Sequence, residues 1–200
     1  GSTPDALNLK LHQATSTVTL VSSGNPTGPG QPVTLTAAVS SNHGVPADGT
    51  VISFQDGGVE IGTGTLASGV AAYTTSSLAL GTHTMTAVYA GNAAFTGATS
   101  APVAQGISSN SSAVSLDFSA NPVFVNQSVT LTATVTGTGT PTGTVEFIEN
   151  GTTSLGTVNL VSGVAAMTTS FNAAGTPAIR AVYSGDGNNG GSSSGQNLTV

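Results

Sequence analysis

Apolar and polar positions alternate through most of the chain in short bursts. In 33–39, Val33, Leu35, Ala37 and Val39 share one face, and Thr34 and Thr36 lie on the other. That two-residue period belongs to a half-buried strand. In 82–89, His83, Met85, Ala87 and Tyr89 oppose Thr82, Thr84 and Thr86. Strands are predicted near 15–22, 31–40, 50–56, 59–66, 69–76, 82–90 and 97–105. A second set follows near 111–119, 127–136, 144–149, 153–160, 163–170, 176–183 and 192–200. Gly, Pro, Asn and Asp punctuate the gaps as turn formers, and no helical period runs long enough to compete. Short strands at this spacing predict antiparallel sandwiches.

The two sets are copies of one another. Gln31 opens QPVTLTAAV and Gln127 opens QSVTLTATV, 96 positions later, with Asn25-Pro26 and Asn121-Pro122 at the same offset. Beyond Gly49 the offset reads as 94. It aligns LASGVAAYTT at 66–75 with LVSGVAAMTT at 160–169, and GTHTMTAVYAG at 81–91 with GTPAIRAVYSG at 175–185. The expected organisation is a leading arm at 1–13, domains at 14–105 and 111–200, and a linker at 106–110. So short a linker predicts an elongated pair with restricted bending. In the arm, Gly1-Ser2 reads as the remnant of a tag, and no leader pattern is visible. Leu7, Leu9 and Leu11 alternate with polar residues, as the last strand of an upstream repeat would.

These motifs (QxVTLTAxV, PTGTVxF with a following Asp/Asn-Gly, LxxGxAxxTT and GTHTxTAxYxG) resemble the bacterial immunoglobulin-like, Big-type tandem repeat family. The resemblance implies an all-β chain of two tandem immunoglobulin-like antiparallel β-sandwiches of about seven strands each. It further implies a spacer or stalk module of a large secreted or cell-surface bacterial protein, sometimes adhesive, whose partners are neighbouring repeats of its own chain. Three positions depart from the pattern. VISFQDG in place of VxFxDG suggests a bulge or slip near Ser53, Pro177 stands where His is favoured, and Arg180 lies on the outward face.

Composition narrows the function. Charged residues make up 5% of the chain, against roughly 25% in an ordinary domain. The polar surface is instead built from 32 Thr and 25 Ser. Lys10 and Arg180 are the whole basic complement at a net charge of −6. They cannot neutralise a phosphate backbone or supply a polybasic membrane patch. No uninterrupted apolar run exceeds four residues, as in Val70–Tyr73, so a spanning helix of about 20 apolar residues is excluded. Cysteine is absent, and disulfides and thiolate metal sites with it. A monomer without cofactor is expected.

Candidate chemistry is sparse. His83 has Pro177 as its counterpart, so it reads as packing and not as a repeated catalytic group. His43 and Asp48 share the first copy's longest loop without the context of a catalytic serine. Glu146 and Glu149 are three apart on one predicted strand and face opposite ways, which defeats a glycosidase pair. Asp186 and Asn188 in SGDGNNGG are the calcium candidates, but one carboxylate is few for an ion that takes about 6–8 oxygens. Phe95 and Phe124, in predicted loops, are the only plausible exposed anchors for a glycan or protein, although each is expected to tuck over the end of its own sandwich. Tyr89 and Tyr183 resemble the corner tyrosine of immunoglobulin sandwiches, whose hydroxyl bonds to nearby backbone. Met85 and Ile179 are expected core residues. So are Phe54 and Tyr73, with Ile148 and Met167 as their counterparts at the offset of 94. The outward row Thr130, Thr132, Thr134 and Thr136 reads as an ordinary solvent face. These readings converge on a non-catalytic module. The alternatives are an adhesin segment that binds through sandwich-end loops, and an accessory domain beside a secreted hydrolase.

Overall fold

The structure, a computed structural model, describes residues 12–200; the proposed upstream strand carrying Leu7, Leu9 and Leu11 lies outside them. The chain divides into two compact units between Ser108 and Ser109. The first contains β1 (Ser16–Ser22), β2 (Val33–Ser41), β3 (Val51–Asp56), β4 (Val59–Thr65), β5 (Val70–Thr75), β6 (Gly81–Tyr89), β7 (Ala98–Thr99) and β8 (Val103–Ile107). The second contains β9 (Ala113–Phe118), β10 (Ser128–Thr136), β11 (Thr144–Glu149), β12 (Thr153–Asn159), β13 (Val164–Ser170), β14 (Ala178–Tyr183) and β15 (Ser192–Asn197).

Each unit is an antiparallel sandwich. In the first, the sheet β1-β2-β5 faces the sheet β4-β3-β6, on which β7 and β8 both pair with β6. In the second, β13-β10-β9 faces β12-β11-β14-β15. The alternation explains the layers. Val33, Leu35, Ala37 and Val39 of β2 are buried with Met85, Ala87 and Tyr89 of β6 in one core. Val129, Leu131, Ala133 and Val135 of β10 are buried with Ile179, Ala181 and Tyr183 of β14 in the other. Threonines fill the opposite faces, where Thr34 meets Thr74 at 2.9 Å and Thr130 meets Thr168 at 3.1 Å.

The first copy's seventh strand is interrupted. Pro102 cannot donate a ladder hydrogen bond, and pairing lapses between Thr99 and Val103. Ser100 bridges the gap: its N donates to Ala87 O and its Oγ accepts from Ala87 N at 3.0 Å.

The third strands correct the alignment of the copies. Phe54 pairs with Ala87, and Phe147 with Ala181. Phe147, and not Ile148, is therefore the counterpart of Phe54, at an offset of 93. The same offset holds from the start of the strand, since Val51 pairs with Thr65 as Thr144 pairs with Asn159, and the irregularity after Phe54 recurs after Phe147. The slip expected near Ser53 therefore lies before the strand, and it is compensated in the hairpin turn, where the first copy uses Gly57-Gly58 and the second Asn150-Gly151-Thr152. Burial drives the shift, because both phenylalanines are fully enclosed, worth about 1.5–3 kcal/mol each relative to exposure. Tyr73 stacks on Phe54 at a centroid distance of 5.9 Å and donates to Ile61 O at 2.6 Å. It lies over Gly62, where any Cβ would stand 2.1 Å from its ring.

The boundaries read from the sequence also need correction. Gly106 and Ile107 end β8 and pair with β6, while Asn110 pairs in parallel with Asn189. Most of the expected 106–110 linker is therefore claimed by the folded units. The equivalent bridge in the first unit joins Ala14 to Phe95, and Gln13 Nε2 donates to Asn92 O at 2.6 Å. Residue 13, expected in the arm, is thus bonded to the first domain.

Candidate functional site

The 184–191 loop, singled out for calcium, is tied to its own fold. Asp186 Oδ1 accepts from Asn188 N at 2.8 Å and Asn189 N at 2.7 Å. Oδ2 accepts from Thr142 N at 2.9 Å. These N–H donors, that of Thr142 foremost, hold the carboxyl well below the usual aspartate range against the opposing effect of burial. Asn189 is itself buried. Its Oδ1 accepts from Thr138 N at 2.7 Å, and its Nδ2 donates to Thr138 O at 3.2 Å. Gly137 makes room for that amide, since a Cβ there would stand 2.4 Å from Asn189 Oδ1. Asn188 contributes its carbonyl, which accepts from Asn110 N. Both oxygens of the one carboxylate in the loop accept N–H groups, and among the described residues no cluster of three or more acidic, His or Cys side chains forms. The loop works as a staple.

The first copy builds the same turn with different chemistry. Asn92, the counterpart of Asp186, accepts from Ala94 N at 2.8 Å and Phe95 N at 3.0 Å through Oδ1. Phe95, the counterpart of Asn189, packs against the core. One copy closes this end with a ring, the other with an amide.

His83 and Asp56 form an ion pair in the first domain. His83 Nδ1 lies 2.7 Å from Asp56 Oδ2, and Nε2 lies 2.8 Å from Ala79 O. Asp56 Oδ1 accepts from Thr84 N at 3.1 Å. The Ala79 carbonyl, and after it Asp56, raise the His83 pKa above its ordinary 6.5, against a smaller opposing effect of burial. In the second domain Asn150 takes the place of Asp56, accepting from Ala178 N at 3.0 Å, and Pro177 replaces the imidazole. The sequence reading of His83 as packing missed this partner. Asp56 at the end of β3 pairs with Met85, two residues from His83, so strand register was the available signal.

Gln105 forms a second polar island in the first core. It is 0% exposed, accepts from Ser22 Oγ, and donates to Thr27 Oγ1 at 3.3 Å and Gly106 O at 3.0 Å. The equivalent positions in the second domain hold Phe118, Val123 and Leu198, all packed in its core.

The hydrogen bond expected of a corner tyrosine is not made. The Oη atoms of Tyr89 and Tyr183 are buried without a hydrogen-bond partner, because both rings end the inward row of a central strand and sink into the core. Asp186 lies near the Tyr183 hydroxyl without meeting it at hydrogen-bonding geometry. Burial first, and that carboxylate second, push the phenol up to about 12. Both tyrosines serve through packing. Met85 and Ile179 are fully enclosed. Asp48 is bonded to Ser68 N at 2.7 Å and stands in no triad with His43. Phe124 is the exception among the aromatics, at 84% exposed.

Strand order, face-to-face sheets and the buried alternate rows define immunoglobulin-like β-sandwiches. The chain belongs to the bacterial Ig-like domain (group 3) family, whose model matches residues 13–108 and 116–200. The search of curated proteins found no match. Among solved structures, the chain is similar to the fibronectin(III)-like modules of Clostridium thermocellum CbhA, at 18% identity over 92% of this chain and 93% of that one, TM-score 0.41. It is also similar to the Yersinia pseudotuberculosis adhesin InvE, at 18% identity over 92% of this chain and 59% of that one, TM-score 0.41. The Escherichia coli adhesin FdeC matches at 21% identity over 92% of this chain and 63% of that one, TM-score 0.35.

Proposed function

We propose that the chain is a non-catalytic extension module of a bacterial cell-surface or secreted protein, with neighbouring repeats of the same chain as its partners. The observation that carries this reading is the duplication itself: two copies of one bacterial Ig-like family domain account for 13–108 and 116–200. Three of the polar groups that suggested chemistry support it, since Asp186, His83 and Asp48 bond within their own domains. A weakly charged, Thr-coated exterior suits a segment that keeps its surroundings at a distance. The test is a length-matched exchange of this pair for two unrelated Ig-like domains in the parent protein. Display of the parent's other regions, measured by antibody labelling of intact cells and assay of the medium, is expected to persist. Loss of display, or a parent confined to the cytosol before any exchange, overturns the reading.

One observation favours an additional adhesive role through sandwich-end loops. Phe124 and Val125 stand exposed together in the loop that joins β9 to β10, whereas a ring without a partner is normally withdrawn from water.

A further inference from the structure

Between the β11–β12 hairpin and the loop joining β13 to β14, the second domain opens a cleft of about 650 Å³. Its lining includes Glu149, Ser170, Phe171, Asn172, Thr176 and Pro177. Clefts that take small ligands run from about 300 to about 1,000 Å³.

The duplication provides an internal reference, because the copies align here without a gap at the offset of 94. In the first domain, Leu78 packs against the core and His83 is clasped between Asp56 and Ala79. In the second, Asn172 and Pro177 occupy those positions, and Phe171, one residue earlier, serves as the core plug. The clasp is lost and polar groups line the space. The side chains of Glu149, Ser170, Asn172 and Thr176 make no hydrogen bond or ion pair with any described residue. This contrasts with the opposite end of the same domain, where Asp186 and Asn189 are saturated. Asn126 N donates to Phe171 O at 2.8 Å, which places Asn126, two residues from exposed Phe124, beside the lining, although Phe124 itself does not line the cleft.

We propose that this end of the second domain binds a neutral saccharide. Phe124 offers the apolar face against which a sugar ring stacks, and Glu149, Asn172 and Thr176 hydrogen-bond its hydroxyls. A carboxylate and an amide suit hydroxyl ligands, since one accepts and the other both donates and accepts. No Lys or Arg lines the cleft, so an anionic ligand would meet only Glu149. A single carboxylate is too few for a divalent cation.

The experiment is a titration of the isotopically labelled full chain, followed by amide chemical shifts. The probes are the methyl glycosides of glucose, galactose, mannose and N-acetylglucosamine, with sialic acid as the anionic and N-acetyl-lysine methylamide as the cationic comparison. At least one neutral glycoside is expected to move the signals of 124–127, 149–151 and 170–177, while those of 76–83 in the first domain stay in place. Glu149→Gln and Phe124→Ala should each weaken that binding about tenfold or more. Asn172→Leu should abolish it, with undiminished spectral dispersion showing that the domain still folds. The proposal is overturned if all four glycosides leave the cleft signals unmoved, or if both domains shift alike. Sialic acid or the lysine derivative acting in place of a neutral sugar overturns it equally.

Discussion

His83 presents both ring nitrogens to acceptors, Nδ1 to Asp56 Oδ2 at 2.7 Å and Nε2 to the Ala79 carbonyl at 2.8 Å. A carbonyl cannot donate, and an ionised carboxylate cannot either. Satisfying both contacts therefore calls for the imidazolium, with a proton on each nitrogen. The clasp pins the loop between β5 and β6 to the end of β3.

The folded pKa of His83 lies above its ordinary 6.5. A raised histidine contributes stability that is fully present below the unfolded pKa and is lost as pH rises through the folded one. The melting temperature of the first domain is therefore expected to fall as pH rises from about 6.5 through the higher folded value. His83→Ala should flatten that dependence. An unchanged slope in the variant, by differential scanning calorimetry, would assign the effect elsewhere.

Tyr89 buries a hydroxyl that has no partner, and leaving such a group unmade costs about 1–3 kcal/mol. Tyr89→Phe removes the hydroxyl and keeps the ring. Chemical denaturation should show the first domain unchanged or more stable by about 1 kcal/mol. A marked loss would mean that the hydroxyl is bonded after all.

The Ser22–Gln105–Thr27 island and its apolar counterpart Phe118–Leu198–Val123 predict strong coupling. Gln105→Leu alone leaves the half-buried Ser22 hydroxyl with only its long contact to Gly24 O and should cost about 1–3 kcal/mol. Adding Ser22→Phe and Thr27→Val, as in the second domain, should recover that loss, since replacing all the polar partners by apolar groups can be neutral or stabilising. Simple additivity of the single changes would refute the coupling.

Asp186 owes its low pKa to N–H donors from two loops. A depressed carboxylate contributes stability present above the unfolded value and lost as pH falls through the folded one. The second domain should weaken below about pH 4. At neutral pH, Asp186→Asn should cost about 1 kcal/mol, a figure kept small by solvent screening. Added calcium should shift the melting temperature of neither form.

Met85 and Ile179 fill matching places in the two cores. Truncation of either to Ala is expected to cost about 2–5 kcal/mol through lost burial and a residual cavity. Changing outward Thr84 or Arg180 to Ala should stay within roughly 0.5 kcal/mol. Urea midpoints for the four variants make the comparison.

The two-residue alternation in 33–39, 82–89 and their copies was enough to place nearly every strand and to say which face is buried, because that pattern is local to the backbone. The repeat was enough to divide the chain into two sandwiches. Matching letters at one offset nevertheless set Phe54 against Ile148. One residue more before the first copy's third strand and one fewer in the turn after it decide which side chain points inward, and a one-residue slip reverses the face.

Pairings over long sequence distances were decided by the tertiary structure alone. His83 meets Asp56 across 27 residues and Gln105 meets Ser22 across 83, and neither contact follows from composition or period. The 184–191 loop read as a turn with one carboxylate to offer, but its bonds to Thr138 and Thr142 come from another loop and follow from packing alone. The cleft of the second domain was invisible for the converse reason. It exists where Leu78 and His83 give way to Asn172 and Pro177, and unfilled space becomes legible only once the surrounding strands are packed.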